Sequence, residues 1–367
     1  MTRRVLVIHS RVGGGHLSAA RALAAALDAT GEARTRLVDV YLDCGRFPAT
    51  LFPSMYARLT RHAPLGWALL YHGTSRRLDT TRLLRPLVAS GLRRVLADDQ
   101  SDMVVSVVPM VNGVLSRLAK PARLEVVFTD WHAVHPFWLA PGVDHYTAAT
   151  ESARQACVDM GVPAEAVDVV GLPVRPEFAA GQPADPSAFG LEPGRFTVLV
   201  MVGAEGSLRT VRNLRYLVRH LVESQVLVVC GRNTALRRRV EALPSRVPLR
   251  ALGFVENVAG LMRAADVLVT KAGGLTLAEA FCCEVPVVVH DLLPGQEAGN
   301  LAYALQHQAV LYAPRPASLA ATVTALQADP ERRSALAARA RRLVRTDAAA
   351  RIASAILDRA AVGGALA

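Results

Sequence analysis

The residues best suited to chemistry lie between Ala264 and Asn300, in a stretch predicted to form a strand, a glycine turn, a helix and a second strand. Such a βαβ unit directs backbone N–H groups and a helix N-terminus at one point beside the carboxyl end of a sheet. That arrangement suits a phosphate, and Gly273 and Gly274 would let the ligand come close. Lys271 adjoins the turn and could neutralise part of a diphosphate's charge.

Glu279 falls in the first turn of a helix predicted to begin at Thr276, where its carboxylate could accept two hydrogen bonds from a ribose diol. The alternative is a capping box, because the two residues have the S/T-x-x-E spacing that closes a helix start. The next loop favours a ligand, since Gln296, Glu297 and Asn300 place three hydrogen-bonding side chains at a strand end. A ribose-binding group followed by a sugar-binding group predicts a nucleotide-sugar site, whereas an ordinary solvated turn is the alternative for the loop.

A second group of polar residues lies earlier in the chain. His16 follows the glycines of GGGH and could act as a general base or as a hydrogen-bond donor to a phosphate, or have no chemical role at a helix start. The stretch TDWHAVHPFW places Asp130 and His135 at the end of a strand, where open α/β sheets bind ligands. Without H-E-x-x-H or a cysteine ligand pair, proton transfer or acceptor positioning is predicted there, and no metal.

These residues are positioned by two successive series of strands and helices. Strands are predicted at 4–9, 102–108, 124–128, 146–150, 167–170, 196–201, 225–230, 249–254, 267–270 and 285–289, and helices at 17–27, 151–160, 316–345 and 347–362. Proline-rich residues 171–186 predict the hinge. The predicted domains are residues 1–175 and 188–345, with a C-terminal helix, 346–367, that could pack back on the first domain.

Composition narrows the class of protein. The chain has 367 residues, 51% of them hydrophobic, yet no apolar run reaches the length of about 18 residues that a membrane span needs. Its N-terminus lacks the features of a signal peptide, so a cytoplasmic location is expected. The five cysteines are odd in number and show no C-x-x-C spacing, which predicts reduced core thiols.

The net charge of +11 is concentrated in part between residues 46 and 94. That segment holds nine arginines, one acidic residue and five large aromatic residues. Such a mixture fits helices lying on an anionic membrane surface, which predicts a peripheral protein on the inner face of the cell membrane. The alternative is an apolar stripe buried in the domain. Nucleic acid fits less well, because no binding motif accompanies the charge.

The motifs GGGH, TDWHAVHPFW, GLPV-x-P-x-F, VGAEGS, CGRN, GF and TKAGGLTLAEA…PGQE-x-x-N occur in that order. With them the sequence resembles the monogalactosyldiacylglycerol synthase family, which includes bacterial processive diacylglycerol glucosyltransferases and is similar to the lipid II N-acetylglucosaminyltransferases. The resemblance spans about residues 5–310. It implies an α/β protein of GT-B architecture, with two Rossmann-like domains facing across a cleft.

The resemblance also implies which residues bind each substrate. The UDP-sugar would be held by the C-terminal half, through Gly203, Gly206, Ser207, Arg232, Phe254, Val255, Lys271, Gly273, Gly274, Thr276, Glu279, Gln296, Glu297 and Asn300. The acceptor lipid would be held by the N-terminal half, through Gly14, Gly15, His135 and Trp138, with His16 and Asp130 as catalytic residues.

The implied reaction is an inverting single displacement that needs no metal and no further cofactor, because amides, helix N-termini and a cation can neutralise the diphosphate. His16 is the preferred base, since a histidine near its normal pKa accepts a proton at neutral pH, and Asp130 is the second choice. VGAEGS departs from the family pattern, so Glu205 is expected to point away from the diphosphate.

Three other functions remain open at this stage. The first is a transferase of the same fold acting on a polyprenyl-linked or soluble acceptor. The second is a UDP-sugar epimerase, which would turn over donor without acceptor. The third is a catalytically silent membrane-binding protein, although the polar residues named above argue against it.

Overall fold

The computed structural model describes residues 2–74, 80–120, 122–132, 134–181, 184–202 and 208–364. The chain divides into two compact units. The first comprises Met1–Leu59, Leu65–Pro176 and Arg345–Ala367, and the second comprises Thr60–Pro64 and Glu177–Val344. Each unit is built on its own six-stranded sheet, in which every described strand pair is parallel. The predicted α/β class is confirmed.

The first unit has the strand order β2-β1-β3-β4-β5-β6. Its strands are β1 (Arg3–His9), β2 (Ala33–Asp39), β3 (Met103–Ser106), β4 (Arg123–Val127), β5 (His145–Ala148) and β6 (Val167–Val169). Its helices in this part of the chain are α1 (Gly15–Ala29), α2 (Phe52–His62), α3 (Pro64–Gly73), α4 (Thr80–Asp99), α5 (Asn112–Leu118) and α6 (Glu151–Asp159). The sequence predicted β1, β3, β4, β5 and β6 but not the edge strand β2, whose burial is irregular.

The second unit has the strand order β12-β11-β10-β7-β8-β9. Its strands are β7 (Phe196–Met201), β8 (Ser224–Val229), β9 (Leu249–Leu252), β10 (Val267–Lys271), β11 (Val287–Asp291) and β12 (Leu311–Tyr312). Its helices are α7 (Pro176–Ala179), α8 (Leu208–His220), α9 (Thr234–Glu241), α10 (Val258–Arg263), α11 (Gly274–Cys282), α12 (Ala298–Gln306), α13 (Pro316–Ala328) and α14 (Pro330–Arg341).

The central strands are runs of apolar, mostly β-branched residues, as expected for parallel strands that are covered on both faces. All six residues of β8, SQVLVV, are buried. In each sheet the strand order reverses once, between β1 and β3 in the first unit and between β7 and β10 in the second. Open α/β sheets bind ligands beside the carboxyl ends of strands at such a reversal. The topology therefore predicts one ligand-binding position in each unit, at the reversal of its strand order.

Several predicted element boundaries differ from the structure, and two of these differences have a clear local cause. The helical span 316–345 is two helices, because the side chain of Asp329 accepts a hydrogen bond from the Arg332 amide (2.8 Å) and Pro330 begins α14. The strand predicted at 146–150 ends at Ala148, and Thr150 instead caps α6 by accepting a hydrogen bond from the Ala153 amide (3.1 Å).

The last helix, α15 (Ala348–Gly364), belongs to the first unit and packs against α1. Its Arg359 binds both carboxylate oxygens of Glu125 on β4, at 3.0 and 2.8 Å, and one oxygen of Asp168 on β6, at 2.7 Å. Glu125 is only 1% exposed, whereas the side chain of Asp168 is 45% exposed. The buried carboxylate thus has a guanidinium partner supplied from a distant part of the chain.

Replacing Arg359 by Met should destabilise the first unit by about 3 kcal/mol, because Glu125 loses the cation that compensates its burial. Asp168→Asn is the control and should cost less than about 1 kcal/mol, since its pair is partly solvated. Tryptophan fluorescence during urea unfolding measures this selectively, because all three tryptophans (Trp67, Trp131 and Trp138) lie in the first unit. Equal small losses in both variants would contradict the importance of the Arg359–Glu125 pair.

Candidate active site

In the second unit, polar side chains surround the glycine turn after β10. A Cβ atom placed on Gly273 would lie 3.7 Å from Glu297 Oε1, 3.8 Å from Thr276 Oγ1 and 4.0 Å from Lys271 Nζ. These groups come from the end of β10, the first turn of α11 and the residue before α12. The structure therefore brings together four residues that the sequence assigned to the donor, at the strand reversal between β7 and β10.

Lys271 and Glu297 form an ion pair across this turn. The second carboxylate oxygen of Glu297 accepts a hydrogen bond from the Leu293 amide (2.8 Å), and Glu297 is only 5% exposed. Asn300 lies on α12 and donates to the carbonyl of Ala272 (3.2 Å), which ties that helix to the turn. The sequence assigned Lys271 to the diphosphate and Glu297 to the sugar, but it did not predict that the two side chains would pair.

The prediction for the start of α11 is wrong. The helix begins at Gly274 with Gly273 as its N-cap, and no side chain caps it. Glu279 is therefore the sixth residue of the helix, beyond the first turn, and the capping-box alternative for Thr276 and Glu279 is excluded. Glu279 is buried and Thr276 half-buried, so their roles in ligand binding stay predictions.

The remaining donor-site candidates differ in how the structure places them. Gly203, Gly206 and Ser207, together with Glu205, lie outside the described residues. Gln296 is half-buried in the turn before α12. Phe254 is 59% exposed, and the Arg232 guanidinium lies 5.3 Å from the centre of its ring. An exposed ring with an adjacent cation offers a flat surface beside Val255.

One ion pair near the strand ends was not predicted. Arg209, at the start of α8, lies 3.4 Å from a carboxylate oxygen of Asp291 at the end of β11. The available sequence signal was the position of Arg209, two residues after the VGAEGS loop. Its partner could not be inferred, because the pairing depends on the order of the strands.

In the first unit, His16 lies at the N-terminal end of α1 and is almost fully buried. Its Nδ1 is 3.3 Å from the Thr129 hydroxyl, and its ring packs edge-on against Trp138 with the ring centres 6.0 Å apart. The Val107 carbonyl also accepts a hydrogen bond from the ring.

Burial lowers the pKa of His16 to about 4, an effect that exceeds the opposing hydrogen bond to Val107. The expectation of a histidine near its normal pKa is therefore wrong. The imidazole is neutral throughout the physiological range, so it is always in the base form but is a weaker base than an exposed histidine. The sequence contained no sign of this, because the burying residues lie far from His16 along the chain.

His135 and Trp138 are part of the packing around this site. His135 accepts a hydrogen bond from the Phe137 amide through Nδ1 (3.2 Å) and donates through Nε2 to the carbonyl of Tyr71 (3.1 Å). Both ring nitrogens are thus engaged within the protein. Trp138 is buried against Phe128, with ring centres 5.4 Å apart. The two residues shape the site around His16, and direct contact with an acceptor stays a prediction.

The glycines before His16 leave open space. Gly14 has a φ of 81°, and a Cβ atom on Gly14 or Gly15 would have no neighbour within 4 Å. A ligand could approach the backbone here. Asp130 follows Thr129 on the loop after β4 and is half-buried. Among the residues that the structure describes, no three His, Cys, Asp or Glu side chains come together as a metal site would require.

Comparisons with known proteins agree with this architecture. Residues 16–174 match the family model of monogalactosyldiacylglycerol (MGDG) synthase, and residues 193–343 match that of glycosyl transferases group 1. The fold resembles the crystal structure of Acinetobacter baumannii MurG, with a TM-score of 0.65 and 14% identity over 98% of this chain and 100% of that one. It also resembles a UDP-N-acetylglucosamine 2-epimerase structure from Listeria monocytogenes, with a TM-score of 0.66 and 14% identity over 97% and 96% of the two chains.

Fold and sequence matches together define the GT-B architecture. The chain is 30% identical to monogalactosyldiacylglycerol synthase 2 of Arabidopsis thaliana over 88% of this chain and 73% of that protein. It is 29% identical to a processive diacylglycerol beta-glucosyltransferase of Bacillus subtilis, over 90% and 88% of the two chains. The chain belongs to the monogalactosyldiacylglycerol synthase family. It spans 66% of the length of the spinach (Spinacia oleracea) synthase, to which it is 31% identical over 88% of its own length.

The Lys271–Glu297 pair predicts coupled effects on donor binding. Lys271→Met should raise the donor KM roughly tenfold, because it leaves a buried carboxylate without its cation. Glu297→Gln should raise the donor KM less in the Lys271→Met variant than in the original protein, because the two side chains act as a pair. Steady-state kinetics of the four proteins measure this coupling. Lys120→Met is the matched control, since this second lysine pairs with Asp144 on the first unit; additive effects at positions 271 and 297 would contradict the coupling.

The buried state of His16 predicts the pH dependence of the reaction. If His16 is the base, protonation removes activity, and its lowered pKa moves the acid limb of kcat/KM to near pH 4. A histidine with the usual pKa of about 6.5 would lose roughly tenfold by about pH 5.5. Measuring kcat/KM between about pH 4 and about pH 6.5 distinguishes a lowered from a usual histidine pKa. Circular dichroism at each pH is the control for folding. A limb near the usual histidine pKa that disappears in His16→Gln would show that burial does not control this residue.

Proposed function

We propose that this protein transfers a hexose from a UDP-sugar to the free hydroxyl of diacylglycerol. The observation that carries the proposal is the convergence of Lys271, Thr276 and Glu297 on the Gly273 turn, at the strand reversal of a domain that matches a glycosyltransferase family. Relatives named for diacylglycerol glycosylation support the acceptor. The Bacillus relative supports it best, because this chain covers 88% of its length.

On the donor side, we assign each residue by its chemistry and position. Glu279 accepts hydrogen bonds from the ribose diol, and Phe254 and Val255 flank the uracil beside Arg232. Gln296, Glu297 and Asn300 bind sugar hydroxyls. The diphosphate is held by backbone amides and hydroxyls of Gly203, Gly206, Ser207, Gly273, Gly274 and Thr276. Lys271 contributes to both the sugar-binding and the diphosphate-binding part of the site, because it compensates the charge of Glu297 and adds positive charge beside the Gly273 turn.

The reaction is an inverting single displacement. The acceptor oxygen forms a bond to the anomeric carbon while the bond from that carbon to the diphosphate oxygen breaks, and the hydroxyl proton passes to a base. His16 is the proposed base that takes that proton, and Asp130 is the second candidate. UDP leaves with its charge stabilised by amides, the N-terminus of α11 and Lys271, so we expect no requirement for a metal or other cofactor.

On the acceptor side, the α2–α3 segment presents a surface suited to an anionic membrane. Neither helix buries a residue, and Leu65, Leu69 and Leu70 are 74%, 76% and 50% exposed. Exposed arginines, including Arg46 and Arg58, accompany this apolar surface. No helix in the described ranges is long and apolar enough to cross a membrane. We propose peripheral attachment to the inner face of the cell membrane through this segment, without any role for nucleic acid.

The other candidate functions are less well supported. An epimerase has the same fold, but that likeness is at 14% identity, whereas the relatives near 30% identity are transferases. A soluble acceptor would not explain the exposed leucines of α3, which a lipid surface would cover, and the relatives are named for diacylglycerol and not for a polyprenyl-linked acceptor. We therefore keep diacylglycerol as the acceptor.

Release of UDP from a set of UDP-sugars tests the proposal, with and without diacylglycerol in vesicles of anionic or zwitterionic lipid. We expect release from one sugar, dependent on diacylglycerol and faster on the anionic vesicles. Release without acceptor would favour an epimerase or hydrolase. Donor binding without lipid-dependent release would overturn the proposed acceptor, and no donor binding would overturn the proposed site.

Two substitutions should separate the roles of the two units. Glu279→Ala should mainly raise the donor dissociation constant, because it removes the ribose contact. His16→Ala should mainly lower kcat with donor affinity kept. Calorimetric titration of UDP together with steady-state kinetics measures both effects. Equal loss of donor affinity in the two variants would contradict this division.

A further inference from the structure

One side chain of the exposed α3 helix faces the site instead of solvent. Tyr71, near the end of α3, has its ring centre 4.5 Å from that of His135. Its backbone carbonyl accepts the hydrogen bond from His135 Nε2 at 3.1 Å. The helix that offers leucines to a lipid surface is therefore attached, through one residue, to the loop that follows β4.

Tyr71 is also influenced by Asp130, the acidic residue proposed for the site. Burial, helped by the negative charge of Asp130, raises the pKa of Tyr71 above its usual value. The phenol is accordingly neutral and lies within the electrostatic range of Asp130. Tyr71 thus contacts His135 directly and senses the charge of Asp130, the two residues of this loop that the sequence assigned to acceptor binding and catalysis.

His135 is connected to His16 through the residues that follow it in the chain. Its other nitrogen accepts a hydrogen bond from the Phe137 amide, which begins the 3-10 turn Pro136–Trp138. Trp138, the last residue of that turn, packs against the ring of His16. Each contact from Tyr71 to His16 therefore joins residues that are either hydrogen-bonded or in ring contact.

Trp67, whose ring centre lies 6.4 Å from that of Tyr71, anchors the same face of α3 to α2. Trp67, one helical turn before Tyr71, packs edge-on against Tyr56 of α2 at 4.9 Å between ring centres. Leu65 and Leu69 point to solvent. One face of α3 is thus available to a lipid surface while the opposite face holds the loop.

We propose that Tyr71 is a positioning residue, which holds the loop of Asp130 and His135 in register with α3 and so sets the geometry of acceptor attack. This inference rests on the proposed function and extends it, because it assigns a role to a residue on the membrane-facing segment. Tyr71 itself need not touch either substrate. Its effect is carried by His135 and the turn that leads to Trp138.

The test uses two acceptors and two variants. The acceptors are diacylglycerol in anionic vesicles and a short-chain diacylglycerol dissolved as monomers. Tyr71→Ala should lower kcat roughly tenfold to hundredfold with both, because the loop loses its register, while vesicle co-sedimentation and donor KM stay within about twofold. Tyr71→Phe keeps the ring contact and should restore kcat to within about threefold of the original protein.

Leu69→Ser is the matched control on the opposite face of α3. It should weaken vesicle binding and turnover on vesicles, while turnover of the dissolved acceptor remains unchanged. The inference is overturned if Tyr71→Ala behaves like Leu69→Ser, or if it leaves kcat unchanged with both acceptors. If Tyr71→Ala fails to fold, Tyr71→Leu replaces it, and an unchanged kcat in that variant overturns the inference. Failure of the proposed function would show differently, as absence of transfer in the unmodified protein.

Discussion

Parallel pairing of β1, β3 and β4 in one sheet, and of β10 with β11 in the other, is the constraint on which both candidate sites depend. Parallel strands end on the same edge of a sheet, so the loops that follow them must lie side by side. In the second unit this brings the turn after β10 close to the residues before α12. In the first unit it places the glycine loop after β1 beside the loop after β4. Residues separated by more than a hundred positions, such as His16 and Thr129, meet for this reason.

Burial then decides what these residues can do. A polar group removed from water must be paired or change its ionisation, and the sites show both outcomes. Glu297 is paired with Lys271 and the Leu293 amide, whereas burial lowers the pKa of His16 and keeps its ring neutral. Under the proposed function, the charged pair serves the diphosphate and the neutral imidazole serves the acceptor hydroxyl.

Much of the fold could be predicted from the sequence, because buried parallel strands such as β8 and β10 are continuous apolar runs between glycine turns. The ordered motifs likewise identified the family. The start of α11 could not be predicted, since the S/T-x-x-E spacing favours a start at Thr276 while the backbone at Gly273 sets the actual one. The pKa of His16 and the Lys271–Glu297 and Arg359–Glu125 pairs depend on contacts between distant segments. Local patterns carry no information about such contacts.

The position of α15 has a consequence for how the chain acquires its structure during synthesis. The first unit is discontinuous, because α15 completes it only after the whole second unit has been made. On the ribosome, β4 emerges with Glu125 more than two hundred residues before Arg359. The carboxylate must therefore remain hydrated in the nascent first unit until translation is nearly finished. The second unit is contiguous from Glu177 and can fold during that interval, so the unit that begins first is completed last.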